Sequence, residues 1–314
     1  MLCSGVKGMA MDLMALKKRM FSHNIRGKYR FTSRKKGCIK MCIILIGYKQ
    51  FLWDDVIGRF RTFVPDDVDV CLVSSGKYLP ELEEMAKRNS WSYLSVKRNN
   101  VCLVQNLAIS LFPEAEYIYK MDEDIFLTAG AFEKLFDAMK IVDEESPYTT
   151  GISAPLLNIN AYGYRRILEK TGTLEAFEKK FGSAPMMSGQ TSMIETNPEV
   201  ASFMWGSGGV LPQLDEMNAL FEKEGFEYSV CPVRLSIGFI LMKRSFWEFM
   251  GGFPVIPGNG MGLDETYLIG VCSSFSHVVA VAENSVVGHF GYGGAQGRAM
   301  KEFFEANHEL FELK

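Results

Sequence analysis

The 314-residue sequence predicts an α/β fold built on a mixed, mostly parallel sheet, and three observations carry that expectation. Short apolar segments alternate with amphipathic ones between residues 38 and 142. The apolar segments are closed by Gly, Ser or Asn, so they read as strands joined through helices, which pair in parallel by right-handed crossovers. The length suits one large α/β domain or two small ones, because single cores stop growing near ~250–300 residues.

The elements follow in order. Cys38–Gly47 (CIKMCIILIG) is a buried strand ended by Gly47 and Tyr48, and Val68–Val73 is a second, closed by Ser74, Ser75 and Gly76. Leu79–Asn89 is a helix with Pro80 in its first turn and acids ahead of bases, the order its dipole favours. Trp91–Val96 is a third strand, after which Asn99 and Asn100 turn into a helix over Cys102–Leu111. Tyr117–Met121 is the fourth strand, followed at once by Asp122, Glu123 and Asp124, and Phe132–Val142 is the next helix. Residues 151–230, broken by Pro155, Pro185, Pro198, Pro212 and several glycines, hold short helical pieces such as Thr173–Phe181. This variable insert is expected to form loops over the mouth of the sheet, where substrates are chosen. Strand Leu235–Lys243, helix Ser245–Met250, strand material at Val278–Ala282 and Ser285–Gly288, and helix Met300–Leu313 complete the chain. The expected organisation is a basic extension over 1–37 and one domain over 38–314.

Apolar residues at 47% and charged residues at 23% are ordinary globular usage and exclude a disordered or fibrous chain. Seven Cys without a C-x-x-C pair indicate buried thiols in a reducing compartment, not a disulfide framework. The longest apolar run, Met41–Ile46, falls far short of the ~20 residues that cross a bilayer. The net charge of -3 is unevenly spread. Residues 1–40 carry eleven bases against Asp12, leaving 23 bases and 36 acids beyond them. An acidic body excludes a nucleic-acid groove. Met9, Leu13, Leu16 and Met20 recur at helical spacing beside Lys17, Lys18 and Arg19, a pattern suited to peripheral contact with anionic lipid. The competing readings are a disordered extension, or a natural start at Met41. A cytoplasmic protein, at most peripheral to the membrane face, is expected.

The main chemical signal is Asp122-Glu123-Asp124 at the end of an apolar strand, with no nearby base expected to pair the acids. Carboxylates spaced i, i+2 in such a turn converge on a hard cation, Mn²⁺ or Mg²⁺, which neutralises a diphosphate leaving group. The competing reading is a set of acids capping the next helix. Ligands of parallel α/β sheets bind outside the carboxyl ends of strands, and this turn is at such an end.

Taken in order, Ile46-Gly47-Tyr48, Val73-Ser74-Ser75-Gly76, Asn99-Asn100, Gln105-Asn106, Asp122-Glu123-Asp124, Ser236-Ile237-Gly238, Gly251-Gly252-Phe253, Gly262-Leu263-Asp264-Glu265 and Val287-Gly288-His289-Phe290-Gly291 resemble a GT-A-type glycosyltransferase, broadly of family 2. The resemblance covers about residues 40–292. It implies a three-layer sandwich that moves a sugar from a nucleotide diphospho-sugar to a hydroxyl of a glycan or glycolipid. On that resemblance Gly47, Tyr48, Ser74, Ser75, Asn100, Asn106, Asp122 and Glu123 contact the donor. Asp122 and Asp124 hold the cation with His289 as third ligand, and Asp264 is the base of an inverting transfer, with Glu265 as its substitute.

Two departures stand out. Ser74 and Ser75 occupy the place of an acid that usually meets the nucleotide base, and Leu263 replaces the glutamate of the usual Glu-Asp pair. An N-cap is the competing role of Asp264. Trp205, in the Gly-rich segment Phe203–Gly209, is a candidate platform for a sugar ring of the acceptor, against the plainer reading of a packed loop anchor. Two other functions compete: a phosphohydrolase of the haloacid dehalogenase type, which also uses Asp-x-Asp after a strand, and a non-catalytic carbohydrate-binding protein on a degenerate transferase fold.

Overall fold

A computed structural model of the chain describes residues 19–187, 192–291 and 296–313. The first half runs β1 (Tyr29–Thr32), β2 (Lys40–Leu45), α1 (Trp53–Phe63), β3 (Val68–Ser75), α2 (Pro80–Arg88), β4 (Ser92–Val96), α3 (Val101–Leu111), β5 (Tyr117–Asp122), β6 (Ile125–Phe126) and α4 (Ala131–Glu145). The second half runs β7 (Thr149–Leu157), α5 (Gly163–Lys170), α6 (Leu174–Phe181), α7 (Met193–Thr196), α8 (Pro198–Met204), α9 (Leu214–Lys223), β8 (Tyr228–Val230), β9 (Phe239–Lys243), α10 (Arg244–Phe249), α11 (Leu263–Ser274), β10 (His277–His289) and α12 (Gly297–Ala306). None of the described helices is long and apolar enough to cross a membrane. The mixed α/β architecture with a mostly parallel sheet is the one the sequence predicts. The chain divides into two compact units, each drawn from three stretches.

The first unit comprises residues up to Gly47, Asp67–Ile118 and Met242–Val271. Its strand order is β1-β4-β3-β2, with β2·β3 and β3·β4 parallel and the edge strand β1 antiparallel to β4. β3 (VDVCLVSS) is buried along all but its last residue, as a β-branched run between two neighbours should be. Helix α2 shows the expected punctuation, with Pro80 at its start, Glu81 and Glu83 in its first turn, and Lys87 and Arg88 in its last.

The segment expected as an extension is corrected here. Tyr29–Thr32 pairs in register with Tyr93–Val96, and the Asp69 carboxylate accepts from the backbone N–H groups of Lys36, Gly37 and Cys38 at 2.6–2.9 Å. These bonds, and the buried Asn24, make residues 24–38 part of the first unit. Of the stripe read for membrane contact, Met9, Leu13 and Leu16 lie outside the described residues, and Met20 is exposed in a helical stretch over residues 19–24.

The second unit comprises Tyr48–Asp66, Tyr119–Leu241 and the chain from Cys272 onward. Its strands are ordered β9-β7-β10-β6, with β7·β10 parallel and β6 and β8 antiparallel to β10. Helices α4, α5 and α9 pack on β7 or β10. The insert read as loops contains a central strand instead: β7 is buried over eight of its nine residues, and Pro155 sits inside it, in register with Ala282. Proline usually marks an edge or a bulge. A register shift between Ala282 and Val286 of β10 lies directly beside it, so the interruption is shared between both strands. The two strand pieces expected at 278–282 and 285–288 are one thirteen-residue strand bent at that shift.

Glu283 is fully buried in β10, and its two oxygens accept from Arg166 Nε and Nη2 at 2.8 Å each. Burial would lift its carboxyl, but the Arg166 hydrogen bonds hold it below the usual range. Removing one partner of a buried pair costs about 3–5 kcal/mol, so Arg166→Met should lower unfolding free energy by that order. Because the folded carboxyl titrates below its unfolded value, the pair's contribution is complete above that value and lost as pH falls through the folded one. Urea titrations should therefore show the deficit of Arg166→Met shrinking on acidification. A deficit constant down to the acid limit contradicts this account.

Candidate functional site

In the second unit the acidic turn is positioned by strand pairing. Asp122 N–H donates to Gly238 O at 2.8 Å, after which the chain folds back so that Ile125 pairs with His289 and Phe290 N–H donates to Asp124 O at 2.9 Å. Gly238 permits this approach, since a Cβ there would lie 2.7 Å from Ile125 Cδ1. The result places the Asp124 carboxylate against His289, with Oδ2 3.7 Å from Nε2. His289 Nδ1 lies 2.7 Å from Ile159 O, an atom that only accepts, so Nδ1 carries a proton and the ring is held with Nε2 towards Asp124. His289 N–H is itself fixed by Asn158 Oδ1.

The expectation that these acids have no base nearby is corrected. Lys49, on the turn after β2, forms an ion pair with Asp124 Oδ2. Lys120 Nζ meets Asp122 Oδ2 at 2.7 Å and Ile237 O at 2.8 Å. Lys120 precedes Asp122 by two residues and shares its strand face, a signal available from period-two alternation. Lys49 is 75 positions from Asp124, and no local pattern links them. Burial alone would raise the Asp124 carboxyl, but Lys49, His289 and Lys120 bring it below its usual range. Glu123 has a different part: both its oxygens accept from Tyr48 N–H, at 2.9 and 3.0 Å, and Oε2 also accepts from Trp53 Nε1–H at 2.8 Å. It is a strut for the Tyr48 turn, and Trp53 is a site residue that the sequence reading missed.

Asp124 and His289 are the two side chains that could share a divalent cation here. A tautomer fixed by a backbone carbonyl is usual for a ligating imidazole. Two neighbouring ligands of an octahedral ion with bonds of about 2.1 Å stand about 3 Å apart, so the 3.7 Å between Nε2 and Oδ2 would have to close by some tenths of an ångström around one. Among the described residues no group of three His, Cys, Asp or Glu side chains gathers for an ion, so Asp122 does not complete the set.

Trp205 is only 1% exposed, held between Phe126 and Phe311 at ring-centroid distances of 5.3 and 4.5 Å. It lies so close to β10 that a Cβ on Gly288 would approach its ring within 2.5 Å. The indole is the packed anchor, and its faces do not offer the expected sugar platform.

In the first unit Asp264 is the second residue of α11 and 5% exposed. Its Oδ2 accepts from Gln105 Nε2 at 2.8 Å. It lies inside the helix, not at an N-cap, and Glu265 beside it is half-buried. Gln105 is thus a positioning partner of Asp264, brought to it across 159 positions. Neighbouring Cys102 is pushed up to about 12, by burial first and then by the Asp264 charge. The six described cysteines are free, and the thiols of Cys231 and Cys272 are likewise raised to about 11 and 12, so none of these three is a thiolate nucleophile at neutral pH.

Several donor-binding candidates of this unit are spent on its own structure. Asn100 caps α3, its Oδ1 accepting from Leu103 N–H at 2.9 Å while Nδ2 donates to Ile256 O and Gly258 O. Ser75 Oγ accepts from Asn100 N–H, and Ser74 Oγ lies within hydrogen-bond distance of Lys77 O and the Tyr93 hydroxyl. Asn106 uses its whole amide: Nδ2 donates to Asn24 O and Phe253 O, and Oδ1 accepts from Trp247 Nε1 and Phe253 N–H. Its assignment as a donor contact is therefore corrected. Asn106→Leu should cost about 1–3 kcal/mol for each buried group left unpaired, read as a lowered urea midpoint. Normal stability with lost nucleotide affinity would restore the original assignment. Gly47 holds a φ of 147°, and Tyr48 is 59% exposed, which leaves its ring accessible.

No family model matches the chain, and no curated protein matches it. Among solved structures it is similar to GalNAc-T7 with UDP, GalNAc and Mn²⁺, at 11% identity and a TM-score of 0.46 over 81% of this chain and 44% of that one. It is similar to the mannosyltransferase PcManGT from Pyrobaculum calidifontis in complex with GDP-Man and Mn²⁺, at 12% identity and a TM-score of 0.45 over 88% of this chain and 64% of that one. It is also similar to glucosyl-3-phosphoglycerate synthase from Mycobacterium tuberculosis in complex with Mn²⁺, UDP and phosphoglyceric acid, at 14% identity, a TM-score of 0.41 and coverage of 82% and 72%. The chain spans less than half of the first of these proteins and less than two thirds of the second.

Proposed function

We propose that the chain is a glycosyltransferase that moves a sugar from a nucleotide diphospho-sugar to an acceptor hydroxyl of a glycan or glycolipid, with inversion. The observation that carries this reading is the meeting of Asp124, His289 and Lys49 at the carboxyl end of β5, where a parallel sheet presents its ligands. Asp124 and His289 would hold a Mn²⁺ or Mg²⁺ ion, which would supply charge stabilisation to the departing diphosphate. The Lys49 ammonium adds a compact positive charge that can hold a phosphate oxygen. Lys120 holds Asp122 in place, and Glu123 fixes the backbone under Tyr48. In this reading the Asp264 carboxylate accepts the acceptor's proton, oriented by Gln105.

The test is a panel of nucleotide sugars screened for thermal stabilisation with and without Mn²⁺, followed by donor hydrolysis in the absence of acceptor. Metal-stimulated release of nucleotide diphosphate supports the transferase. Release of inorganic phosphate from phosphomonoesters points to the phosphohydrolase. Sugar binding without turnover points to a degenerate transferase fold.

A further inference from the structure

We propose that the first unit carries a separate anion site, built to take the phosphate group of a ligand, in the pocket between β1, β4 and the turn after β3. The pocket encloses about 380 Å³, and Lys28, Arg30, Lys77 and Lys97 line it together with Tyr78 and Ser95, with no carboxylate among its walls. None of these residues is given a part in the transfer reaction proposed above.

The argument begins with strand register. Arg30 stands directly opposite Ser95, and the N–H of Lys97 donates to Lys28 O at 3.1 Å, which sets Lys28 opposite Lys97. Alternate residues of a strand share a face, so Lys28, Arg30, Ser95 and Lys97 stand on one face of this antiparallel pair. Like charges directly opposite each other destabilise such a pair unless something neutralises them. Among the described residues no carboxylate forms an ion pair with Lys28, Arg30 or Lys97. The Arg30 guanidinium stacks 4.2 Å above the Tyr78 ring, a contact that uses its face and leaves its N–H edge for an acceptor.

Ser95 supplies the second, independent indication. The residue is 6% exposed and lines the pocket, and its Oγ is not one of the buried polar atoms left without a partner. Ser95 Oγ is not sealed from solvent, so its hydroxyl is free to donate to an anionic oxygen in the pocket. A guanidinium edge, ammonium groups and a hydroxyl on one concave wall match a tetrahedral dianion with several acceptor oxygens. Two sources carry that group: a soluble phosphorylated compound, or the headgroup of an anionic lipid. The second is relevant because Lys28 and Arg30 belong to the basic segment over residues 1–40.

The experiment uses the full chain without donor or acceptor sugar, so its outcome is independent of the glycosyltransferase reading. Inorganic phosphate is titrated calorimetrically, and co-sedimentation is measured with phosphatidylcholine vesicles with and without phosphatidic acid. Arg30→Gln combined with Lys97→Gln should weaken phosphate binding roughly tenfold or more, and Ser95→Ala about threefold. Lys179→Gln with Lys180→Gln, which removes the same charge elsewhere, should leave it unchanged. Lys28→Gln, on an exposed side chain, should also weaken binding without disturbing the fold. Loss of phosphatidic acid binding in the same variants identifies a lipid headgroup as the source, and loss of phosphate binding alone identifies a soluble ligand. No phosphate or phosphatidic acid binding by the intact protein, or equal loss in the Lys179/Lys180 control, overturns the site.

Discussion

Asp124→Asn should abolish Mn²⁺-dependent stabilisation by nucleotide diphosphate and lower turnover by about 10²–10³-fold, the range for removing one preorganised charge contact at a developing anion. The substitution is close to isosteric. It leaves an amide where the carboxylate met Lys49 and faced His289, and so removes the negative charge that a cation needs. Two readouts separate a site effect from a folding effect. Thermal unfolding without ligand reports the loss of the buried Lys49 pair, whereas the increment added by Mn²⁺ and nucleotide diphosphate reports the site. The increment should vanish in Asp124→Asn, and His289→Ala should reduce it without touching the Lys49 pair. Retention of the full increment in Asp124→Asn would remove Asp124 from the site, and retention in His289→Ala would leave the imidazole without a role.

Asp264→Asn should depress kcat by at least ~10²-fold with donor affinity little changed, because a general base acts mainly in the transition state. The structure makes this a clean comparison. Gln105 Nε2 donates to Asp264 Oδ2, and an Asn side chain can still accept that hydrogen bond, so position is kept while basicity is lost. Gln105→Leu, which frees the carboxylate from its holder, should lower kcat less than Asp264→Asn. Glu265→Gln should also do less. If Glu265→Gln is the inactive variant, the base is one residue further along α11. If neither acidic variant is impaired, transfer does not proceed through a base at this helix.

The alternation of strands and helices, the caps and the acidic turn were legible because they are local. A strand announces itself by apolar run and terminator, as Val68–Ser75 does, and a helix by its Pro and its charge order, as Pro80–Arg88 does. The same locality explains the errors. β7 was hidden because Gly151 and Pro155 are breakers by local rules, and only burial beside the bent part of β10 makes the strand worthwhile. β1 was hidden because an edge strand with half its residues exposed has little apolar pattern to show.

The candidate site divides along the same line. Sequence alone determined the fold class, the acidic turn at the end of β5, and the candidacy of His289 and Asp264. Tertiary structure alone decided how each polar side chain is employed. It turned Asn106 and Glu123 into struts, buried Trp205 beneath β10, and brought Lys49 to Asp124 and Gln105 to Asp264. The physical reason is that backbone conformation follows from neighbours a few residues apart. The partner that satisfies a buried amide or neutralises a buried carboxylate is set by distance through space, and here those partners lie from 70 to 159 positions away along the chain.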